Sequence, residues 1–179
     1  WCYDQGAVII SMSLGSASES PPINRKAQQL SEQGCWVVAA AGNSGGGTSN
    51  VDWPGRSEWC ISVAALNKDL TPASFSSAGA KIDTSFSVVN IWGARPGGGY
   101  AQMSGTSQAT PGTAGTLACY RSGLKALGLP IPNVHELRKI INEDSTDVHT
   151  PGVDRRVGPG YLSPALLYMN MTPLPPPVG

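Results

Sequence analysis

"CWVVAAAGN", residues 35–43, is the stretch on which the fold turns. From Trp36 to Ala41 no polar side chain interrupts it, so a strand here has to be covered on both faces, as in a parallel sheet between helices. "GAVIISMSLG" (6–15) before it and "WCISVAAL" (59–66) after it read the same way. Between the first two strands, "NRKAQQLSEQG" (24–34) continues a helical spacing of Ile23, Ala27 and Leu30, with Gly34 placed to end the helix. Apolar strands alternating with helices predict an α/β fold with a parallel sheet flanked by helices.

Further along, the pattern loosens. "FSSAGAKIDTSFSVVNIW" (75–92) is irregular and reads as edge-like, and "GGGYAQMSG" (97–105) as a glycine-rich turn with a short strand. "MSGTSQATPGTAG" (103–115) opens a helix of very small residues running to about Gly123. "NVHELRKIIN" (133–142) predicts an amphipathic helix with Leu137, Ile140 and Ile141 inward, and "GPGYLSPALLY" (158–168) a turn and a short closing helix. No internal repeat is visible. "TPLPPPVG" (172–179) predicts a solvated, extended tail, separate from one globular unit over residues 1–171.

Composition narrows the function. With 40% apolar and 13% charged residues in 179, the chain is a folded domain of ordinary size. Twelve basic residues balance twelve acidic ones, which removes the electrostatic case for nucleic acid or an anionic membrane surface. No apolar run approaches the ~20 residues of a membrane span. The chain begins at Trp1 without an initiator Met, which points to processing or truncation upstream. Of its four cysteines, Cys35, Cys60 and Cys119 sit in apolar runs and read as buried thiols; a disulfide is the alternative and metal binding is not expected.

Three stretches carry the chemistry: "SMSLG" (11–15), "AAAGNSG" (39–45) and "SGTSQATP" (104–111). In this order they resemble the subtilisin-like serine proteases, the subtilases. The likeness covers nearly the whole chain, including its "GPGYLSPALL" ending (158–167). It implies a three-layer α/β/α domain, incomplete here at its N-terminal side. It also implies a nucleophile at Ser107 and an oxyanion donor at Asn43, whose side-chain amide joins the Ser107 N–H. The residue types suit that chemistry. A serine hydroxyl needs a base to take its proton, and the oxyanion that follows needs donors already in place. A helix start at Ser107 aims an N–H and the positive end of a dipole at that charge. The plainer alternatives are a buried helix-start serine and an asparagine serving only its turn.

By the same resemblance, Ser13, Leu14 and Gly15 lie beside an extended substrate, paired as an added β-strand. With Ala40, Ala41 and Gly42 they wall the pocket for the side chain before the cut bond. Asp52 precedes Trp53–Pro54, where the family has an aromatic–proline pair at the base of that pocket. A carboxylate there favours Lys or Arg; a solvated loop aspartate is the alternative. Trp53–Pro54 is also a candidate cis peptide.

The pattern is also broken. The family's chain order is Asp, His, Ser, yet both histidines, His135 and His149, follow Ser107, and no "HGT" or "D-[ST]-G" motif precedes it. Asp4 and Asp83 have the wrong context for the missing aspartate. The chain therefore reads as the C-terminal, serine-bearing portion of a subtilase catalytic domain. Its Asp and His would lie upstream, on a cleaved chain or in a segment absent from this sequence, or else the protein is a pseudoenzyme that binds peptides or serves as a structural partner. Gln108 replaces the family's methionine, and Gly112–Thr113 its His-Val. No cofactor is implied beyond a structural calcium; Glu143, Asp144 and Asp147 read more simply as a solvated acidic turn. The resemblance also implies a secreted or extracytoplasmic protein acting on peptides or proteins.

Overall fold

The computed structural model describes residues 1–47 and 51–169. The three apolar stretches form β1 (Ile9–Met12), β2 (Trp36–Ala40) and β3 (Cys60–Leu66), and α1 (Pro21–Glu32) connects the first two. They pair in parallel, Ile9 opposite Trp36 and Val37 opposite Cys60, and β4 (Thr84–Ser87) continues the sheet with Thr84 opposite Val63. β7 (Ser145–Thr146) and β8 (Tyr161–Leu162) complete the order β1-β2-β3-β4-β8-β7, and only the β7–β8 pair is antiparallel. β5 (Ile91–Ala94) and β6 (Tyr100–Met103) make a separate hairpin.

Every residue of β2 and β3 is buried, as the apolar run of β2 and that of β3, broken only by Ser62, require. On one face, Trp36, Val38, Ile61 and Val63 pack under α2 (Thr106–Ala126), α3 (Val134–Asp144) and α4 (Pro164–Met169), through Leu117, Tyr120, Leu137, Ile141 and Leu167. On the other face, α1 sets Ala27 against Val37, Ala39 and Cys60. The result is the expected three-layer α/β/α arrangement. It stops at β1, whose outer edge has no strand beside it among the described residues. The Pro-rich stretch at 172–179, and with it the expected boundary at 171, lies outside the described residues.

Helix boundaries follow local chemistry. α1 starts with Pro at its first turn, where a missing N–H removes no helical bond, and Gly34 takes a positive φ of 79° just past its end. α3 has a capping box: the Asn133 side chain accepts from the N–H groups of His135 and Glu136, and the Glu136 carboxylate accepts the Asn133 N–H at 2.8 Å. Leu137 and Ile141 point inward as expected, with Ile140 packed at the margin of the core.

Three expectations need correction. The irregular stretch supplies β4, which lies inside the sheet rather than at an edge. Its polar residues are tolerated there because their hydroxyls are bonded: Ser85 Oγ donates to Gly160 O at 2.8 Å and Ser87 Oγ to Asn67 O at 3.0 Å. Ile23 is 40% exposed at the start of α1, so the buried face of that helix is narrower than its apolar spacing suggested. Cys119 faces solvent on α2 beside the inward Leu117 and Tyr120, whereas Cys35 and Cys60 are buried; all four cysteines are free.

Asp83, at the start of β4, pins the α3 layer to the sheet. Its buried carboxylate accepts the Ser62 N–H at 2.8 Å and Arg138 Nε at 2.8 Å, and it pairs with Lys81. Arg138 also donates to the carbonyls of Glu58 and Cys60. The Gly112–Thr113 departure has an equally local cause: a Cβ on Gly112 would stand 2.6 Å from the Phe86 ring. Phe86 of β4 occupies the space of a side chain at 112.

Gly112→Val is therefore expected to destabilise the fold by about 1–3 kcal/mol through overpacking, with Phe86→Leu in the same chain recovering part of the loss in a denaturant-unfolding double-mutant cycle. Burial raises the Cys35 thiol and pushes Cys60 up to about 12, with smaller effects of neighbouring charges. At pH 8 a thiol reagent should therefore modify Cys2 and Cys119 in the folded protein, and Cys35 and Cys60 only after denaturation.

Candidate active site

The carboxyl ends of β1 and β2 lie side by side, which is where open parallel sheets carry their sites. Ser13–Gly15 leave the end of β1, Ala41–Asn43 leave the end of β2, and α2 begins against both. Ser107 is the second residue of that 21-residue helix, close to the positive end of its dipole.

Asn43 and α2 are joined by a fixed set of bonds. Asn43 Oδ1 accepts the Thr106 N–H at 3.0 Å and the Thr106 hydroxyl at 3.1 Å, and the same hydroxyl accepts the Gly42 N–H at 3.2 Å. A backbone N–H only donates, so the atom facing it has to be the amide oxygen. Asn43 Nδ2 is thereby turned the other way. It lies 3.7 Å from the point where a side chain on Gly105 would begin, and Ser107 N lies 3.7 Å from that same point. Both nitrogens thus border one space, which exists because residue 105 is glycine. Gly105 has an extended φ of 164°, so room rather than backbone angle is what that position requires. Gln108 Oε1 borders the same space, 2.9 Å from that point.

Pro111 sits inside α2 and has no N–H, so the helix supplies no i+4 donor to the carbonyl of Ser107. Ser13 Oγ fills that role, donating to Ser107 O at 2.7 Å. Ser107 Oγ reaches back toward Ser13 O at 3.5 Å, a long contact that leaves the hydroxyl loosely held. A proline in the helix thus ties the serine residue to the strand-end segment in front of it.

That segment forms one side of a cleft. Ser16 exchanges both backbone hydrogen bonds with Trp53, at 2.9 and 2.8 Å, and so fastens Ser13–Gly15 over the loop carrying Asp52. The Trp53–Pro54 peptide is cis, as the resemblance implied. Ala40 and Ala41 are buried, while Leu14 is 50% exposed and borders a small apolar cavity with Ile23, Trp53 and Pro54. The Asp52 carboxylate lies between the two sides. Cβ atoms built on Gly15 and Gly42 would both run into it, the first 2.9 Å from Asp52 Cβ and the second 2.7 Å from Asp52 Cγ. Gly42 is at φ +104°, a conformation that side-chain-bearing residues rarely adopt.

All nine candidates singled out by sequence, Ser107, Asn43, Ser13, Leu14, Gly15, Ala40, Ala41, Gly42 and Asp52, therefore gather around the start of α2. The histidines and the other two aspartates lie elsewhere. His135 meets the Trp59 ring edge-on at 5.5 Å, and His149 Nδ1 pairs with Asp154 at 2.9 Å. Asp4 pairs with the exposed N-terminus, and Asp83 is committed to Arg138 and Lys81. Two contributors went unnoticed in the sequence. Thr106 orients the Asn43 amide; its place in "GTS" next to the serine was the available signal. Ser77, whose Oγ accepts the Ser44 N–H at 3.1 Å beneath Gly42, had none.

Residues 1–160 match the subtilase family, and the chain belongs to it. It is 33% identical over 153 residues to the thermostable alkaline protease of Halalkalibacterium halodurans, a match covering 86% of this chain and 40% of that protein. It is 39% identical over 120 residues to subtilisin E of Bacillus subtilis, covering 66% and 32%. Among solved structures, the prenylagaramide maturation protease PagA superposes with a TM-score of 0.79 at 26% identity, over 96% of this chain and 65% of PagA. The chain thus spans about a third to two fifths of the length of these curated relatives.

Ser13→Ala should remove the donor that replaces the missing Pro111 N–H. The expected loss is about 1 kcal/mol in chemical denaturation, while Ser13→Thr, which keeps a hydroxyl, loses less.

Proposed function

We propose that the protein is a serine endopeptidase of the subtilisin type, with Ser107 as nucleophile and the Ser107 N–H and Asn43 Nδ2 as oxyanion donors. What supports this is that Ser107 N and Asn43 Nδ2 border one space in front of the helix, in a chain of the subtilase family. In the reaction, Ser107 Oγ bonds to the scissile carbonyl carbon as a base takes its proton. The carbonyl oxygen becomes an anion between the two donors, and collapse expels the amine with that proton. Water then repeats the sequence on the acyl-enzyme. Ser13, Leu14 and Gly15 pair with the extended substrate on one side, and Ala40, Ala41 and Gly42 line the other. Asp52 belongs to the pocket between them.

The base is a histidine, oriented by an aspartate, on the N-terminal portion of the same protease. The unpaired outer edge of β1 favours this, as does the groove beside it lined by Val8, Ile9, Ala118 and Ile131. An exposed strand edge is a template for a further strand, and burying an apolar groove favours the docking of the rest of a core. The chemistry requires no cofactor. The structural calcium that the family resemblance allows has no cluster of three or more acidic, His or Cys side chains to hold it among the described residues, and Asp147 there accepts backbone N–H groups of its own turn. The tail from residue 172 is assigned no catalytic part. Family membership favours action outside the cytoplasm; no helix among the described residues is long and apolar enough to cross a membrane.

A second reading, a non-hydrolytic peptide-binding or structural partner, is favoured by one observation: the contacts of His135 and His149 lie with Trp59 and Asp154, not with Ser107. A fluorophosphonate probe separates the two. With the upstream portion present, the protease labels at Ser107, while a pseudoprotease stays unlabelled. In the same assembly Asn43→Ala should lower kcat by about 10²–10³ with little change in KM, a magnitude borrowed from an oxyanion asparagine of this family rather than derived from this site.

A further inference from the structure

We infer that Asp52 makes the substrate pocket a receptor for a cationic side chain, so that the protein selects Lys or Arg immediately before the bond at Ser107. The inference rests on the substrate-binding reading of the cleft. Three observations carry it. The first is position. The Asp52 carboxylate lies within contact of the points where side chains on Gly15 and Gly42 would begin, one on each wall, so it occupies the floor between them.

The second is the lack of a partner within the fold. The nearest cation in sequence, Arg56, is turned away: its Nε donates to Val51 O at 2.9 Å and its guanidinium lies 5.6 Å from the centre of the Trp53 ring. The ion pairs among the described residues involve Asp4, Asp83 and Asp154 and leave Asp52 out. Asp52 is only half-buried, so water solvates it while the cleft is open. A substrate side chain that filled the cleft would displace that water. An apolar one would leave the carboxylate desolvated and uncompensated, whereas an ammonium or guanidinium would pair with it.

The third is the character of the approach. Gly15 is exposed and has no side chain, so the stem of Lys or Arg can lie along it while its charged head reaches Asp52. Asp52 itself is held firmly. Its N–H donates to Ala41 O at 2.8 Å, its carbonyl accepts the Arg56 N–H at 2.9 Å, and the Ser16–Trp53 bridge follows immediately. The backbone that carries the charge is therefore fixed before any substrate arrives, which favours selectivity between charged and neutral side chains.

The test uses the protein together with its upstream portion. Hexapeptides differing only in the residue before the central bond (Lys, Arg, Leu, Phe, Ala or Glu) are titrated into the Ser107→Ala form, and the wild-type form is probed separately with fluorophosphonate. Lys and Arg peptides are expected to bind at least about thirtyfold more tightly than Leu or Phe peptides. Asp52→Asn, of the same size and without charge, should bring that ratio within about threefold, and Asp52→Lys should shift the preference to a Glu peptide. Equal or tighter binding of Leu or Phe overturns the inference. So does a Lys preference that survives Asp52→Asn, an Ala preference showing that Asp52 merely shortens the pocket, or the failure of every peptide to bind. Labelling of Ser107 in any of those cases leaves the protease reading standing. A charge preference that follows Asp52 without labelling upholds the pocket and removes the hydrolytic reading.

Discussion

The amide oxygen of Asn43, held by the N–H and hydroxyl of Thr106, is the contact on which the geometry of the site depends. It couples the end of a central strand to the start of the longest helix, and it decides which way the Asn43 amide points. Turned over, the amide would set two donors against each other at Thr106 and present an oxygen to the space where Ser107 N converges. Each such bond is worth only about 1 kcal/mol in stability, so these bonds do not hold α2 on the sheet. The burial of Leu117, Tyr120 and Leu124 over Val38, Ile61 and Val63 does that. The division is useful: apolar packing sets the helix to within hydrogen-bonding reach, and directional bonds orient the last side chain.

α2 is a poor helix by intrinsic preference. It contains Pro111, Gly112, Gly115 and Gly123 and four threonines, all unfavourable relative to alanine in a helix interior. Several of these departures are matched by a contact outside the helix or within its own turn, although the buried Thr113 hydroxyl has no partner and Gly115 faces open space. Ser13 donates where Pro111 has no N–H, Phe86 fills the volume at Gly112, and the hydroxyls of Thr110 and Thr116 bond the carbonyls of Thr106 and Gly112 four residues back. The helix is thus specified by its surroundings, as expected where tertiary packing rather than propensity supplies most of the stability. The small residues that weaken it are those that let the sheet, and the space before Gly105, come close.

What could be read in the sequence follows from the same physics. β2 and β3 were legible because a strand buried on both faces leaves a nearly unbroken apolar run, with Ser62 the one polar residue in either. β4 was not, although it lies inside the same sheet, because its hydroxyl-rich "TSFS" satisfies itself with partners such as Gly160 O and Asn67 O that lie far along the chain. Ile23 and Cys119 were misplaced for a related reason: spacing gives the period of a helix but not the width of the stripe that its neighbours cover. The gathering of Ser107, Asn43 and the Ser13–Gly15 segment at one helix start was legible through motif order, since those motifs are rarely assembled otherwise. Ser77 was invisible, its contribution lying wholly in a contact across 33 residues.

On the proposed reading, the arrangement also divides the labour of catalysis along the sheet. The donors for a developing oxyanion and the walls of the cleft all come from β1, β2 and the start of α2, which share one core and brace one another. Nothing in that bracing involves a histidine, and neither histidine of this chain is near enough to alter it. Activation of the serine is therefore separable from stabilisation of the charge it creates. In that proposal the first falls to the N-terminal portion and the second to donors oriented within this chain, in hydrogen bonds that need no rearrangement when the charge appears. The loose 3.5 Å contact of the Ser107 hydroxyl with Ser13 O fits that division. A hydroxyl committed to a short bond within this chain would have to break it before meeting a base, whereas this one remains available to a partner approaching from the open edge of the sheet.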